Sequence, residues 1–207
     1  GEQQGNRRMA ESRKARARKP PRPVTAASLE NAAVYYLSRF ASSSGNLRRV
    51  LMRKVARTAR NGEEGQAEAG AQMVDALIAR YLEKGLLNDR AYAAQAASSL
   101  AQRGASRYSI AGKLAQKGVA NDLVTQAIAE LDEEGGSSEL AAACALVRRR
   151  RLGPYRAPDK RPDFREKDLA SLARAGFSLD LARRVLRAKD VEALERLARG
   201  ADDDDAF

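Results

Sequence analysis

The sequence predicts an all-α fold built as three tandem three-helix, helix-turn-helix-like units forming an elongated, curved array, and three observations carry that expectation. About a fifth of the 207 residues are Ala while aromatic residues make up only 5% and Trp is absent, a composition suited to thin helical layers. Val, Ile and Thr together number sixteen, and nowhere do they alternate with polar residues over the run that a half-buried strand needs. A shift of 58 residues superimposes Leu114 on Leu172, Gly118 on Gly176, Val119 on Phe177, Asp122 on Asp180, Leu123 on Leu181 and Ile128 on Leu186. Both copies say the same thing: a helix ends at Gly, an apolar residue follows, and a polar cap opens the next helix.

In chain order, residues 1–27 are rich in Arg, Pro and Ala without apolar periodicity and are expected to form a disordered basic arm. Leu29, Ala33, Tyr36, Leu37 and Phe40 then recur on one helical face, and Ser42 to Gly45 should end that helix. A second helix is predicted over 46–60, with Leu47, Val50, Leu51 and Val55 inward and Arg48, Arg49, Arg53 and Arg57 outward. Residues 61–70, a mixture of Gly, Glu, Gln and Ala, read as an insertion before a third helix carrying Met73, Val74, Leu77, Ile78, Tyr81 and Leu82. Gly85 stops it, so the first unit spans 28–87.

The second unit, 88–135, opens at Asn88 or Asp89 and is expected to hold helices to Arg103, over 106–117 and over 121–134. The third, 136–190, repeats the pattern at 138–151, 163–175 and 178–189, and residues 191–207 form a C-terminal helix and acidic tail. Tyr36, Phe40, Tyr81, Tyr92 and Phe177 fall on apolar stripes or just past helix ends, where rings anchor packing.

Charge separates the possible functions. The formal net charge is +11, and about half of it sits in the arm, where eight Arg or Lys face only Glu2 and Glu11. The remaining body must be basic in patches, because it also carries Asp202 to Asp205. Arg148, Arg149, Arg150 and Arg151 point in several directions around one helix end, and with Tyr155 and Arg156 they form a candidate anion patch, beyond the ordinary cationic complement of a helix terminus. Arg103, Arg107, Lys113 and Lys117 bracket one turn and one helix of the second unit, a placement suited to phosphate contact or to a merely solvated face. Tyr108 among them is assigned to packing in preference to base stacking. Arg48, Arg49, Arg53 and Arg57 occupy a middle helix, the one that enters a groove in helix-turn-helix proteins.

Enzymatic chemistry finds little here. There is no His, and the one Cys, Cys144, cannot form an internal disulfide, so a reducing cytoplasm is expected. No phosphate loop ending in Gly-Lys-Ser/Thr occurs, no cofactor or metal site is expected, and no apolar run reaches the ~20 residues that span a bilayer.

Four segments together resemble a known family: Gly85-Leu-Leu-Asn-Asp-Arg-Ala-Tyr92, Leu114-Ala-Gln-Lys-Gly-Val119, Arg150-Arg-Leu-Gly-Pro-Tyr-Arg156 and Ala173-Arg-Ala-Gly-Phe-Ser178. In this order they look like the RecX family of RecA regulators, and the resemblance covers roughly residues 28–190. It implies a protein that binds the helical RecA–DNA filament and limits filament growth, ATP hydrolysis and strand exchange. With single- and double-stranded DNA as partners by charge, a monomer presenting three units in one chain is expected. The alternatives are a helix-turn-helix transcriptional regulator, which would need a dimer and one dominant recognition helix, and a nonspecific nucleic-acid-binding protein.

Overall fold

A computed structural model describes residues 23–59, 64–133 and 138–200. Most of the expected basic arm and the acidic run Asp202 to Asp205 lie outside the described residues. No strand occurs among the described residues, which fold into α-helices joined by short turns.

The first unit comprises α1 (Ala26–Leu37), α2 (Ser44–Ala59) and α3 (Gln66–Glu83). Thr25 opens α1 with a reciprocal cap: its Oγ1 accepts from the Ser28 N–H at 3.1 Å, while the Ser28 Oγ accepts from the Thr25 N–H at 3.0 Å. The helix therefore begins inside the segment read as arm, and Val24 packs against the first core. Leu29, Ala33, Leu47, Leu51, Val55, Val74, Leu77, Ile78 and Tyr81 close that core.

Two expectations for this unit need correction. The first helix stops at Leu37, and the chain turns sharply enough that the Arg39 and Phe40 N–H groups both donate to the Tyr36 carbonyl; Phe40 is 56% exposed, its ring centroid 5.2 Å from that of Tyr36. The expected insertion 61–70 is in good part helix, since α3 starts at Gln66. Gln66-Ala-Glu-Ala is a helix-forming run, and Gly70 is a contact residue: a Cβ there would lie 2.5 Å from Val55 Cγ1. A missing side chain that lets two helices approach looks, in sequence, like a breaker.

The second unit holds α4 (Asp89–Gln102), α5 (Arg107–Gln116) and α6 (Asn121–Glu133) around Ala93, Ala97, Ala101, Ile110, Leu114, Val119, Val124, Ala127 and Leu131. The third holds α7 (Glu139–Arg150), two short 3-10 turns (Gly153–Tyr155 and Pro158–Lys160), α8 (Arg161–Arg174) and α9 (Leu179–Leu186). The C-terminal helix α10 (Val191–Ala198) packs on α7 and places Ala193, Leu194 and Leu197 in the third core, so it belongs to that unit structurally.

The 58-residue register holds in atomic detail. Val119 N–H donates to the Leu114 carbonyl at 3.1 Å and Phe177 N–H to Leu172 at 3.2 Å, the six-to-one closure of a Schellman turn, each across a glycine of positive φ (76° at Gly118, 89° at Gly176).

The junctions between units are also built alike. Ser43 precedes α2 and Ser106 precedes α5; each hydroxyl oxygen accepts from a backbone N–H of its own helix, Asn46 and Ser109 respectively, both at 3.1 Å. Each hydroxyl also donates across to the end of the next unit's middle helix, Ser43 to the Lys117 carbonyl and Ser106 to the Ala175 carbonyl at 2.6 Å. An acidic residue at the start of the following unit completes both contacts. Asp89 accepts from the Ser44 N–H at 2.7 Å, and Glu139 from the Arg107 N–H at 3.0 Å.

Candidate nucleic-acid interface

The charged face is assembled by the junction between the second and third units. At the end of α7, Arg151 takes a left-handed conformation (φ 56°), and the four consecutive arginines fan out. Arg148 lies 3.5 Å from Glu195, Arg149 donates to the Arg103 carbonyl at 2.5 Å, Arg150 donates to Ser171 Oγ at 2.8 Å, and Arg151 stands 5.8 Å over the Tyr155 ring. Arg149 and Arg150 thereby line a cleft of about 290 Å³ together with Arg103 and Lys113. Gly104, at the floor, lets the α4–α5 turn press against α7: a Cβ would lie 3.0 Å from the Ala142 carbonyl oxygen.

Four of the sequence-predicted residues thus converge from two units. Lys113 on α5 and Lys117 just past its end are exposed and form no ion pair or hydrogen bond through their side chains among the described residues. Tyr108 is 78% exposed in the first turn of α5, close to Gly176, so its assignment to packing does not hold. One ring edge lies against Gly176, where a Cβ would stand 2.8 Å from Tyr108 Cδ1, and the rest of the ring is open to solvent.

Other predicted residues are engaged within the fold. Arg107 is 15% exposed and pairs with Asp132 at 2.8 Å, with Glu139 at 3.9 Å. Burial pushes the Glu139 carboxyl up, and the Arg107 N–H and guanidinium partly offset this. Arg156 makes a two-pronged pair with Asp168 at 2.7 and 2.8 Å, and the second oxygen of that carboxylate also accepts from the Gly153 N–H at 2.9 Å. Asp168 is 2% exposed and occupies the position where the second unit has Ile110 under the 58-residue shift. The Tyr155 hydroxyl donates to Glu195 at 3.3 Å, and burial raises its pKa above the ordinary tyrosine value.

In the first unit, Arg48 pairs with Asp75 at 2.6 Å, and that hydrogen bond holds the Asp75 carboxyl below its ordinary range. Arg49 donates to the Gln116 carbonyl and ties α2 to the second unit. Arg53 and Arg57 remain exposed on α2 with no such partner among the described residues. They are not part of the cleft at the other junction. Sequence reasoning passed over Arg161, Arg165, Arg183 and Arg187 in the third unit; extending the 58-residue register to polar positions would have set them against Arg103, Arg107, Thr125 and Ala129.

Among the described residues no group of His, Cys, Asp or Glu is placed to hold a metal ion, and no helix is long and apolar enough to cross a membrane. Three helical units joined by a repeated contact, with a cationic cleft between the second and third, define a tandem three-helix repeat protein.

The sequence pattern of the second three-helix domain of RecX matches residues 88–128. The regulatory protein RecX of Myxococcus xanthus (strain DK1622) is 44% identical over 179 residues, which cover 85% of this chain and 93% of that protein. RecX of Agrobacterium fabrum is 32% identical over 170 residues, covering 81% and 86%, and RecX of Thermobifida fusca 35% identical over 124 residues, covering 59% and 63%. The chain belongs to the RecX family. No solved structure matches it.

Proposed function

We propose that this protein is a cytoplasmic negative modulator of RecA recombinase, which lies on the RecA–DNA filament and limits its extension, ATP hydrolysis and strand exchange. Membership of the RecX family supplies the partner. The observation that supports the mode of action is the repeated inter-unit contact together with the cationic cleft at the second junction. A repeating filament meets such an array at several points, and linked weak contacts give avidity that no unit has alone. Binding is the whole of the chemistry; no cofactor is required of the chain, and the monomer is the working form.

Within that reading, Arg103, Lys113, Arg149 and Arg150 face phosphate or acidic filament surface, with Lys117, Arg53 and Arg57 as further contacts. Arg107 and Arg156 hold the fold, because each is committed to carboxylates inside the chain. Tyr108 offers an exposed ring at the same junction.

The experiment is the ATPase rate of a RecA recombinase on single-stranded DNA, with this protein titrated from far below the recombinase concentration up to parity. Inhibition well below parity, weakened in the variant carrying Lys113→Ala, Arg149→Ala and Arg150→Ala, is the expected result. Full ATPase at parity, with DNA still bound by the protein, would overturn it in favour of a direct DNA-binding regulator.

A further inference from the structure

The third unit contains a cavity that neither its family membership nor the inter-unit cleft accounts for. It opens between α8 and α9 with a volume of about 430 Å³, within the range of small-ligand sites. Its apolar lining comes from Pro158, Pro162, Leu169 and Leu186. Arg165, Arg183 and Arg187 supply three guanidiniums to the same space. Arg165 and Arg187 form no hydrogen bond or ion pair among the described residues, and Arg183 has only an exposed contact to Asp180 at 3.6 Å.

Two structural features keep this cavity positive. The one carboxylate lining it, Asp168, is neutralised by the two-pronged pair with Arg156. The fourth arginine, Arg161, is spent on framing the opening: its guanidinium donates to the carbonyls of Arg156 at 3.2 Å, Pro154 at 3.0 Å and Lys189 at 2.7 Å.

Comparison between units separates scaffold from specialisation. Under the 58-residue shift, Leu169, Leu172 and Leu186 correspond to Ala111, Leu114 and Ile128, apolar in both copies, whereas Arg183 and Arg187 replace Thr125 and Ala129. Arg165 corresponds to Arg107, yet Arg107 is paired with Asp132 and Glu139 and Arg165 is not. The third unit has thus gained cations where the helical scaffold does not require them.

We propose that the α8–α9 cavity is a nucleoside-phosphate site, with Arg165, Arg183 and Arg187 on the phosphate and the apolar lining against the base. Guanidinium forks match phosphate oxygens, and apolar faces and Arg planes accept a base whatever its identity. A bare phosphate would leave the apolar lining unused, and an apolar ligand would leave three guanidiniums unanswered. The nucleotide is either a unit of single-stranded nucleic acid or a free nucleotide. The inference deepens the filament-binding reading but is tested without the recombinase.

The test is fluorescence anisotropy on the full chain with three probes: a short labelled oligodeoxythymidylate, a strand of the same length with abasic sites, and fluorescent ADP. Wild type should bind the thymidylate strand several-fold more tightly than the abasic one. The variant Arg183→Ala/Arg187→Ala should lose that preference, and its slope of log affinity against log salt should become less negative by up to about 0.7, the value for one phosphate contact on a single strand. Arg183 on α9 and Arg187 just past its end are both exposed, so an unchanged melting temperature is expected, and Arg165→Gln gives an independent variant on α8. ADP binding that depends on the same arginines, with no base preference on strands, would assign the site to a free nucleotide and sustain the chemistry. Equal affinity for abasic and thymidylate strands together with no ADP binding overturns it, as does a slope unchanged in both variants. Failure of the filament reading would appear in the ATPase titration and leave these outcomes untouched.

Discussion

Asp168 shows how one residue changes what its neighbours can do. Its carboxylate is buried, pairs with Arg156 and receives the Gly153 N–H. Removing one partner of a buried pair strands the other, so Asp168→Asn should lower unfolding stability by about 3 kcal/mol, and pairing it with Arg156→Met should cost less than the sum of the two single changes. Urea denaturation of the four proteins measures this. Cys144 makes a different prediction. Burial pushes its thiol up to about 11, so it is protonated at neutral pH and shielded as well. A thiol reagent at pH 8 should leave it unmodified until denaturant unfolds the third unit. Because its folded value lies above the unfolded one, its contribution favours the native state less as pH rises from about 9 toward 11, and Cys144→Ala should flatten the stability profile in that window.

Among the elements, glycine and serine carry the geometry. Gly70→Ala gains helix propensity but drives a methyl into Val55, and overpacking of this kind costs about 1–3 kcal/mol, so net destabilisation is expected. Adding Val55→Ala should make Gly70→Ala neutral or favourable, a sign reversal that thermal melts can read. Ser106→Ala removes both a helix cap and the hydrogen bond to Ala175, and should cost about 2 kcal/mol. At this scale much of the fold was legible in the sequence: the apolar period gave the buried faces of α2 and α3, and Asn88, read as a cap, accepts the Ala91 N–H at 2.9 Å. Gly70 and Phe40 were misread because close approach and a sharp turn depend on what faces them, which no local window contains. The candidate site was half legible for the same reason. Charge marked Arg107 and Arg156 as available, whereas their carboxylate partners stand 25 and 12 residues away. The convergence of Arg103 with Arg149 follows from the junction alone.

For the whole molecule, a net charge of +11 sets solubility and long-range attraction to polyanions, while the ion pairs on the body decide which cations remain to meet them. Double-stranded DNA affinity should therefore fall steeply with salt. Titrations between low and physiological salt should give a log–log slope less negative in Lys113→Ala/Arg149→Ala/Arg150→Ala by as much as about 2.7, roughly 0.9 for each phosphate contact removed. A slope unchanged in that variant would mean that other cations carry the contact.

The two junction serines each answer to two helices at once, since one oxygen closes the first turn of its own helix and reaches the last turn of the neighbour's. Folding of a unit and its docking to the next are therefore a single bargain, struck at one atom. A chain linked in this way behaves less like beads on a string than like a folding ruler with stiff joints: each added segment turns by the amount its hinge dictates, and the span between distant marks is set before any partner arrives.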